Sequence, residues 1–191
     1  MSTCYYALFH ALCRTVADSL IGGNGNDTLS GSGGDDTLFG NGGDGSGAVH
    51  RMPRGAVVIA CATVPPDTAR DLASRCLEHG VHYLDAPISG GSVKAAEGSL
   101  SVMASGTPEA FAAARPALEA MATTVFELGD AAGAGSAMKA VNQLLAGVHI
   151  AAMAEALTFG MTQGVAPATF LEVIGQCAGT SWMLENRAPH I

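Results

Sequence analysis

Gly55-Ala56-Val57-Val58-Ile59-Ala60-Cys61-Ala62-Thr63 is a continuous apolar run containing β-branched residues, and Pro65-Pro66-Asp67 ends it. A strand that is apolar on both faces suits a sheet covered on both sides, as parallel sheets are. Asp67 to His79 then reads as a helix, with Gly80 as its stop. Val81 to Leu84 forms a second strand ending at Asp85, Leu100 to Ala104 a third and Thr124 to Leu128 a fourth. An Ala-rich helix, Pro108 to Met121, separates the last two. Strands alternating with helices predict a parallel α/β sheet.

Downstream the chain turns all helical. Gly133-Ala134-Gly135-Ser136-Ala137-Met138-Lys139-Ala140-Val141-Asn142-Gln143 is a glycine-rich turn opening a long helix, predicted from Gly135 to Thr162. Met138, Val141, Leu145, Val148, Ala152 and Phe159 keep steps of three and four along it. Asn142, Gln143, His149 and Glu155 interrupt the apolar stretch, which predicts a buried core helix and not a membrane span. Lys139, Asn142 and Gln143 are spaced i, i+3, i+4 and share one helix face. A cation beside two carboxamides just past a glycine turn suits a small oxygen-rich substrate. Two shorter helices are expected at Pro167 to Cys177 and Ser181 to Arg187.

Upstream, residues 22 to 47 form a Gly/Asp-rich repeat. Gly22-Gly23-Asn24-Gly25-Asn26-Asp27-Thr28-Leu29-Ser30 fits the nonapeptide G-G-x-G-x-D-x-U-x throughout, and the next nine residues fit with one lapse at Ser32. A third begins at Gly40 and fails at Gly45. The segment resembles the RTX parallel β-roll, in which Leu29 and Leu38 would point inward. Aspartates two repeats apart would share calcium there, pairing Asp18 with Asp36, and Asp27 with Gly45, where the pairing is broken. A solenoid core needs at least three repeats, so the segment is expected to be β-roll-like or disordered. Residues 1 to 21 are apolar and could form a short helix; they lack a basic leader and a clear cleavage site.

The chain has 191 residues, 48% of them hydrophobic, and a formal net charge of -8. That acidity argues against nucleic acid or an anionic membrane as partner. Cys4, Cys13, Cys61, Cys76 and Cys177 are scattered, with no metal or disulfide spacing, which points to reduced thiols and a cytoplasmic setting.

A second motif, Asp85-Ala86-Pro87-Ile88-Ser89-Gly90-Gly91, comes before the Gly133 stretch, and Ser181-Trp182-Met183-Leu184-Glu185-Asn186-Arg187 follows it. On these three stretches, residues 55 to 191 resemble the NAD(P)-dependent β-hydroxyacid dehydrogenases, the group of 3-hydroxyisobutyrate and 6-phosphogluconate dehydrogenases. The details look most like the L-threonate dehydrogenase branch. The resemblance implies oxidation of an alcohol β to a carboxylate, with hydride passing to NAD or NADP. Lys139 falls on the family's catalytic base. Ser89, Gly90 and Gly91 fall on the loop that holds the substrate carboxylate. Asn142 lies in the substrate amide motif, where a second asparagine is often found and Gln143 stands here. Thr63 matches a loop residue near the nicotinamide, with Ala62 in place of the usual serine. The chemistry is sensible in itself: a buried lysine can act as a base, and backbone amides of a Ser-Gly-Gly turn can nest an anion.

The same resemblance implies a glycine fingerprint for the pyrophosphate. Gly23-Asn24-Gly25-Asn26-Asp27-Thr28 spaces two glycines correctly but lacks the flanking strand and helix, so it reads as repeat. The expected architecture is therefore α/β: the C-terminal part of a Rossmann-like parallel sheet, then an all-α segment with one long helix. The expected parts are an N-terminal apolar segment (1–21), the RTX-like repeat (22–47), a partial nucleotide-binding domain (55–131) and a partial helical domain (132–191). Turnover is expected to be impaired by truncation. An unpaired edge at Val57 and an uncovered helix face predict a homo-oligomer. The alternatives are a non-catalytic helical association fragment and a calcium-binding RTX-like module.

Overall fold

The computed structural model describes residues 19–21, 37–39, 49 and 52–188. The chain divides into two compact units, one ending at Lys139 and the other beginning at Ala140.

In the first unit, β3 (Val57–Ala60) and β4 (His82–Asp85) pair in parallel, with Ala60 opposite Asp85. Between them runs α1 (Pro66–Glu78). Pro65 and Pro66 open α1, where a missing N–H costs nothing. Alternation along the strands assigns the two faces of the sheet. Val58, Ala60 and Tyr83 pack with Ala69 and Cys76 of α1. Ile59 and Leu84 pack with Ala110, Phe111, Ala114 and Leu118 of α3 (Pro108–Met121), which the Thr107 hydroxyl caps. Helices on both faces explain why the strands read as unbroken apolar runs. Fully buried Val58, Leu84 and Val102 each contribute about 1.5–3 kcal/mol of burial.

A second sheet holds β5 (Ile88–Ser89), β6 (Leu100–Ala104) and β7 (Ala122–Glu127) in that order. The β6–β7 pair is parallel, as expected, but β5 runs antiparallel to β6. Pro87 carries the chain out of β4, and two residues are too short to show a period in the sequence. A short helix, α2 (Gly91–Ala96), follows. The two sheets meet at Asp85 and Ser105, which exchange backbone hydrogen bonds at 3.0 and 2.8 Å.

The long helix is α4 (Ala134–Thr162). The expectation of a buried core helix is corrected here: Val141, Leu144, Leu145, Val148 and Phe159 are exposed. In the second unit only the stripe through Met153 and Leu157 is covered, by Phe170 of α5 (Pro167–Ile174) and Leu184 of α6 (Trp182–Arg187). Apolar residues on all sides of one helix exceed what two short helices can cover. By length and composition alone α4 could also cross a membrane.

Near the start of the chain, β1 (Ser19–Ile21) and β2 (Thr37–Phe39) pair in parallel. The short helix expected over residues 1 to 21 therefore does not reach Ser19. In register, Leu20 is opposite Leu38 along the backbone, an offset of eighteen residues, or two nonapeptides.

Candidate active site

The site grows from one buried carboxylate. Asp85 ends β4 with no exposed surface, at the carboxyl edge where open α/β sheets place their ligands. It spends its charge on protein. Its Oδ2 accepts from the backbone N–H of Gly133 at 2.9 Å and of Ser136 at 2.8 Å. Its Oδ1 accepts from the Ser136 hydroxyl at 2.6 Å. The Ser105 hydroxyl donates to Oδ2 at 3.2 Å and accepts from the Gly135 N–H at 2.9 Å. The orphan N–H groups that open α4 thus find an anion and a hydroxyl, and the helix dipole favours the negative charge there.

This contact leaves no room at Gly135. A Cβ there would collide with the carbonyl oxygen of Met103 and come within 2.8 Å of that of Asp85. Only hydrogen fits between the start of α4 and the ends of two strands.

One turn beyond Ser136 stands Lys139, buried with 8% of its surface exposed. Its Nζ donates to the carbonyl of Ile88 at 2.7 Å. Ile88 directly precedes Ser89, Gly90 and Gly91, so the structure brings the lysine to the Ser-Gly-Gly loop. Burial holds the ammonium below the usual lysine pKa, because a low dielectric disfavours the charged form. A larger share of neutral amine results, and a neutral amine can accept a proton. The loop is made by backbone that other residues rarely adopt, with φ of 138° at Gly90 and 67° at Gly91.

The other predicted residues are less concentrated. Asn142 and Gln143 lie in the second unit, on the same continuous helix as Lys139. Asn142 Nδ2 donates to Gln143 Oε1 at 3.2 Å on an exposed face. Thr63 is exposed in the loop after β3, at the carboxyl edge that Asp85 also occupies. Asp18 and Asp36, the predicted calcium ligands, lie outside the described residues, as do Asp27, Leu29 and Gly45. No cluster of three metal-binding side chains occurs among the described residues. Sequence reading did not single out Ser105 and Ser136. A lone aspartate closing a buried strand, with a glycine-rich helix start to be capped downstream, was the available signal.

Comparison with known proteins places the chain in a family. Residues 35–129 match the family model of the NAD binding domain of 6-phosphogluconate dehydrogenase. Residues 133–191 match that described as NAD-binding of NADP-dependent 3-hydroxyisobutyrate dehydrogenase. L-threonate dehydrogenase of Cupriavidus necator is 52% identical over 146 residues, which are 76% of this chain and 49% of that protein. 3-Hydroxyisobutyrate dehydrogenase of Pseudomonas aeruginosa is 41% identical over 75% of this chain and 48% of its own length. The crystal structure of 3-hydroxyisobutyrate dehydrogenase from Salmonella typhimurium superposes with a TM-score of 0.73 at 43% identity, covering 75% of this chain and 50% of that one. From residue 35 onward the chain therefore belongs to the 6-phosphogluconate and 3-hydroxyisobutyrate dehydrogenase family of β-hydroxyacid dehydrogenases. It spans about half the length of the curated relatives it matches. Residues 16–46 also match the RTX calcium-binding nonapeptide repeat, overlapping the first family match over 35–46.

Proposed function

We propose that residues 55 to 191 carry the substrate-binding and proton-transfer part of an NAD(P)-dependent oxidoreductase. Its substrate is a β-hydroxy acid of the L-threonate or 3-hydroxyisobutyrate type. One observation carries the reading: a buried lysine with a depressed pKa is held 2.7 Å from the backbone that leads into the Ser-Gly-Gly loop. Lys139 takes the hydroxyl proton as the alcohol becomes a carbonyl. Ser89, Gly90 and Gly91 hold the carboxylate with hydroxyl and N–H donors. Asn142 and Gln143 offer carboxamides to the remaining hydroxyls. In this division the nucleotide-binding part runs over residues 55–131 and the helical part over 132–191.

The residues present fit a nicotinamide cofactor in part. The β3–α1 turn, Cys61-Ala62-Thr63-Val64-Pro65, has no glycine, and no glycine fingerprint joins a strand to a helix among the described residues. The loop with Thr63 exposed suits the nicotinamide end. When bound, NAD or NADP supplies the hydride acceptor. The chain's own residues orient the alcohol and remove its proton. A cytoplasmic setting accords with this chemistry.

The test is NAD(P)-dependent oxidation of L-threonate by the purified chain, with Lys139→Ala as control. Turnover that disappears in the variant supports the reading. Turnover that persists in it overturns Lys139 as the base.

A second reading rests on the exposed helix face. Val141, Leu144, Leu145 and Val148 lie at i, i+3, i+4, i+7, each more than half exposed, which supports self-association into a homo-oligomer. A monomer by light scattering would count against it. A calcium-binding N-terminal module is supported by the nonapeptide match and the eighteen-residue strand offset. Calcium titration followed by circular dichroism tests it.

A further inference from the structure

We propose that Asp85, with Ser105 and Ser136, is a positioning clamp that sets the place of Lys139 against the Ser-Gly-Gly loop. Both partners of the Lys139 contact are registered from this one carboxylate. Ile88 follows Asp85 by three residues along the strand exit, and Lys139 follows Ser136 by three along the helix. Three donors from residues 133 to 136 reach the Asp85 carboxylate. Ser105 bridges it to Gly135 by donating to the carboxylate and accepting from the amide. The end of β4, the residue after β6 and the opening of α4 thus share one anion.

The carboxylate is fully buried, and four donors saturate most of its acceptor sites. Its complete burial keeps it from a substrate, which sets it apart from the residues that would touch one. Its work is done on the backbone. Loosening it frees the first turn of α4, so Lys139 withdraws from Ile88 and meets water. The proposal rests on the dehydrogenase reading only in calling Lys139 a base; the clamp itself does not depend on it.

The measurement follows Lys139 itself. The full chain has two lysines, Lys94 and Lys139. Lysine labelled with 13C and 15N therefore gives two side-chain titrations by NMR, with Lys94→Arg for assignment. Lys94 is exposed. Charged groups on the surrounding elements include Asp85 on β4, Lys94 on α2 and, on α1, Arg70, which pairs with Asp67 and whose guanidinium lies against Gly133.

In the parent chain the Lys139 midpoint falls below the usual lysine range, because burial disfavours its charge. In Asp85→Asn it rises towards the usual lysine range, as water returns to the ammonium. The sign discriminates. Deleting a nearby negative charge in an unchanged geometry lowers a lysine pKa, so only displacement raises it. Ser136→Ala and Ser105→Ala alter no charge and give smaller rises. Methyl spectra that match the parent establish that the fold is intact.

A midpoint unchanged or lowered in Asp85→Asn overturns the proposal, as does a parent Lys139 midpoint in the usual lysine range. Should Asp85→Asn not fold, Ser136→Ala gives the result by the same criterion. Loss of folding in both also overturns it, because the clamp would then hold the whole unit and not the placing of one side chain. Turnover plays no part, so an inactive chain leaves the result standing. Conversely, loss of activity in Lys139→Ala bears only on the dehydrogenase reading.

Discussion

Replacing Gly135 by alanine places a methyl group against the Met103 carbonyl oxygen and 2.8 Å from the Asp85 carbonyl oxygen. Both obstacles are backbone, so no side chain can rotate away. Ordinary carbon–oxygen contact requires the start of α4 to retreat by roughly 1 Å. Bonds of 2.8 and 2.9 Å from Ser136, Gly133 and Gly135 then pass beyond hydrogen-bonding range. Overpacking alone costs about 1–3 kcal/mol, and each weakened bond to the carboxylate adds about 1 kcal/mol or more. The expected loss is about 3–5 kcal/mol, a large share of the stability of a single domain. The melting temperature of the first unit should fall by about 10 °C or more. Far-UV circular dichroism follows the melt, and the fluorescence of Trp182, the lone tryptophan, reports the second unit separately. Gly147→Ala on the same helix is the control. Its Cβ meets open space, so it should stabilise by about 0.4–1 kcal/mol. A Gly135→Ala melt within about 2 °C of the parent would refute the close-contact argument.

Further outcomes are expected. Lys139→Ala should cut any hydroxy-acid turnover by about 10²–10⁴-fold. Because burial lowers the Lys139 pKa, kcat/KM should rise with pH and level off below pH 10.5. The same depression makes the Lys139 contribution to stability least favourable below its folded pKa. That contribution should improve as pH rises towards the unfolded value, and urea melts across that window would detect it. Burial raises the Cys76 thiol to about 12, so Cys76 should resist thiol reagents in the folded chain while exposed Cys177 reacts, as peptide mass spectrometry would resolve. Tyr83 carries a buried hydroxyl with no hydrogen-bond partner among the described residues. Tyr83→Phe should leave stability unchanged or raise it by about 1 kcal/mol in a urea melt. The Ser181 hydroxyl accepts from the Leu184 N–H at 3.1 Å and caps α6. Ser181→Ala should cost about 1 kcal/mol, read from Trp182 fluorescence.

Much of the sheet was legible because its strands are covered on both sides. Val57 to Ala60 had to be apolar throughout, and that leaves a clear mark. The helix from Pro108 to Met121 announced its start through Pro108 and its helical character through its alanines. Ile88–Ser89 left no mark, since two residues have no period and their pairing partner lies twelve or more residues away. The surroundings of α4 were misjudged because an apolar sequence reports a preference for cover, and cover depends on what is there to pack. At the site, Lys139 and the Ser-Gly-Gly loop were legible as chemistry, whereas the serines that hold Asp85 were not. A hydroxyl used inside a protein looks the same in sequence as one left in water. Ser105 and Ser136 emerge only when the strand ends and the helix start are brought to one point.

The close fit at Gly135 and the amine of Lys139 would keep separate histories. A lineage that stopped turning over substrate but still needed a folded chain would retain the glycine, since any larger side chain strikes two strand ends. The lysine would be free to drift, because a methionine could lie in its place at small cost to folding. In a set of diverged copies, then, Gly135 keeps a record of folding and Lys139 a record of chemistry. The point in the tree where the second is lost while the first persists would date the end of catalysis.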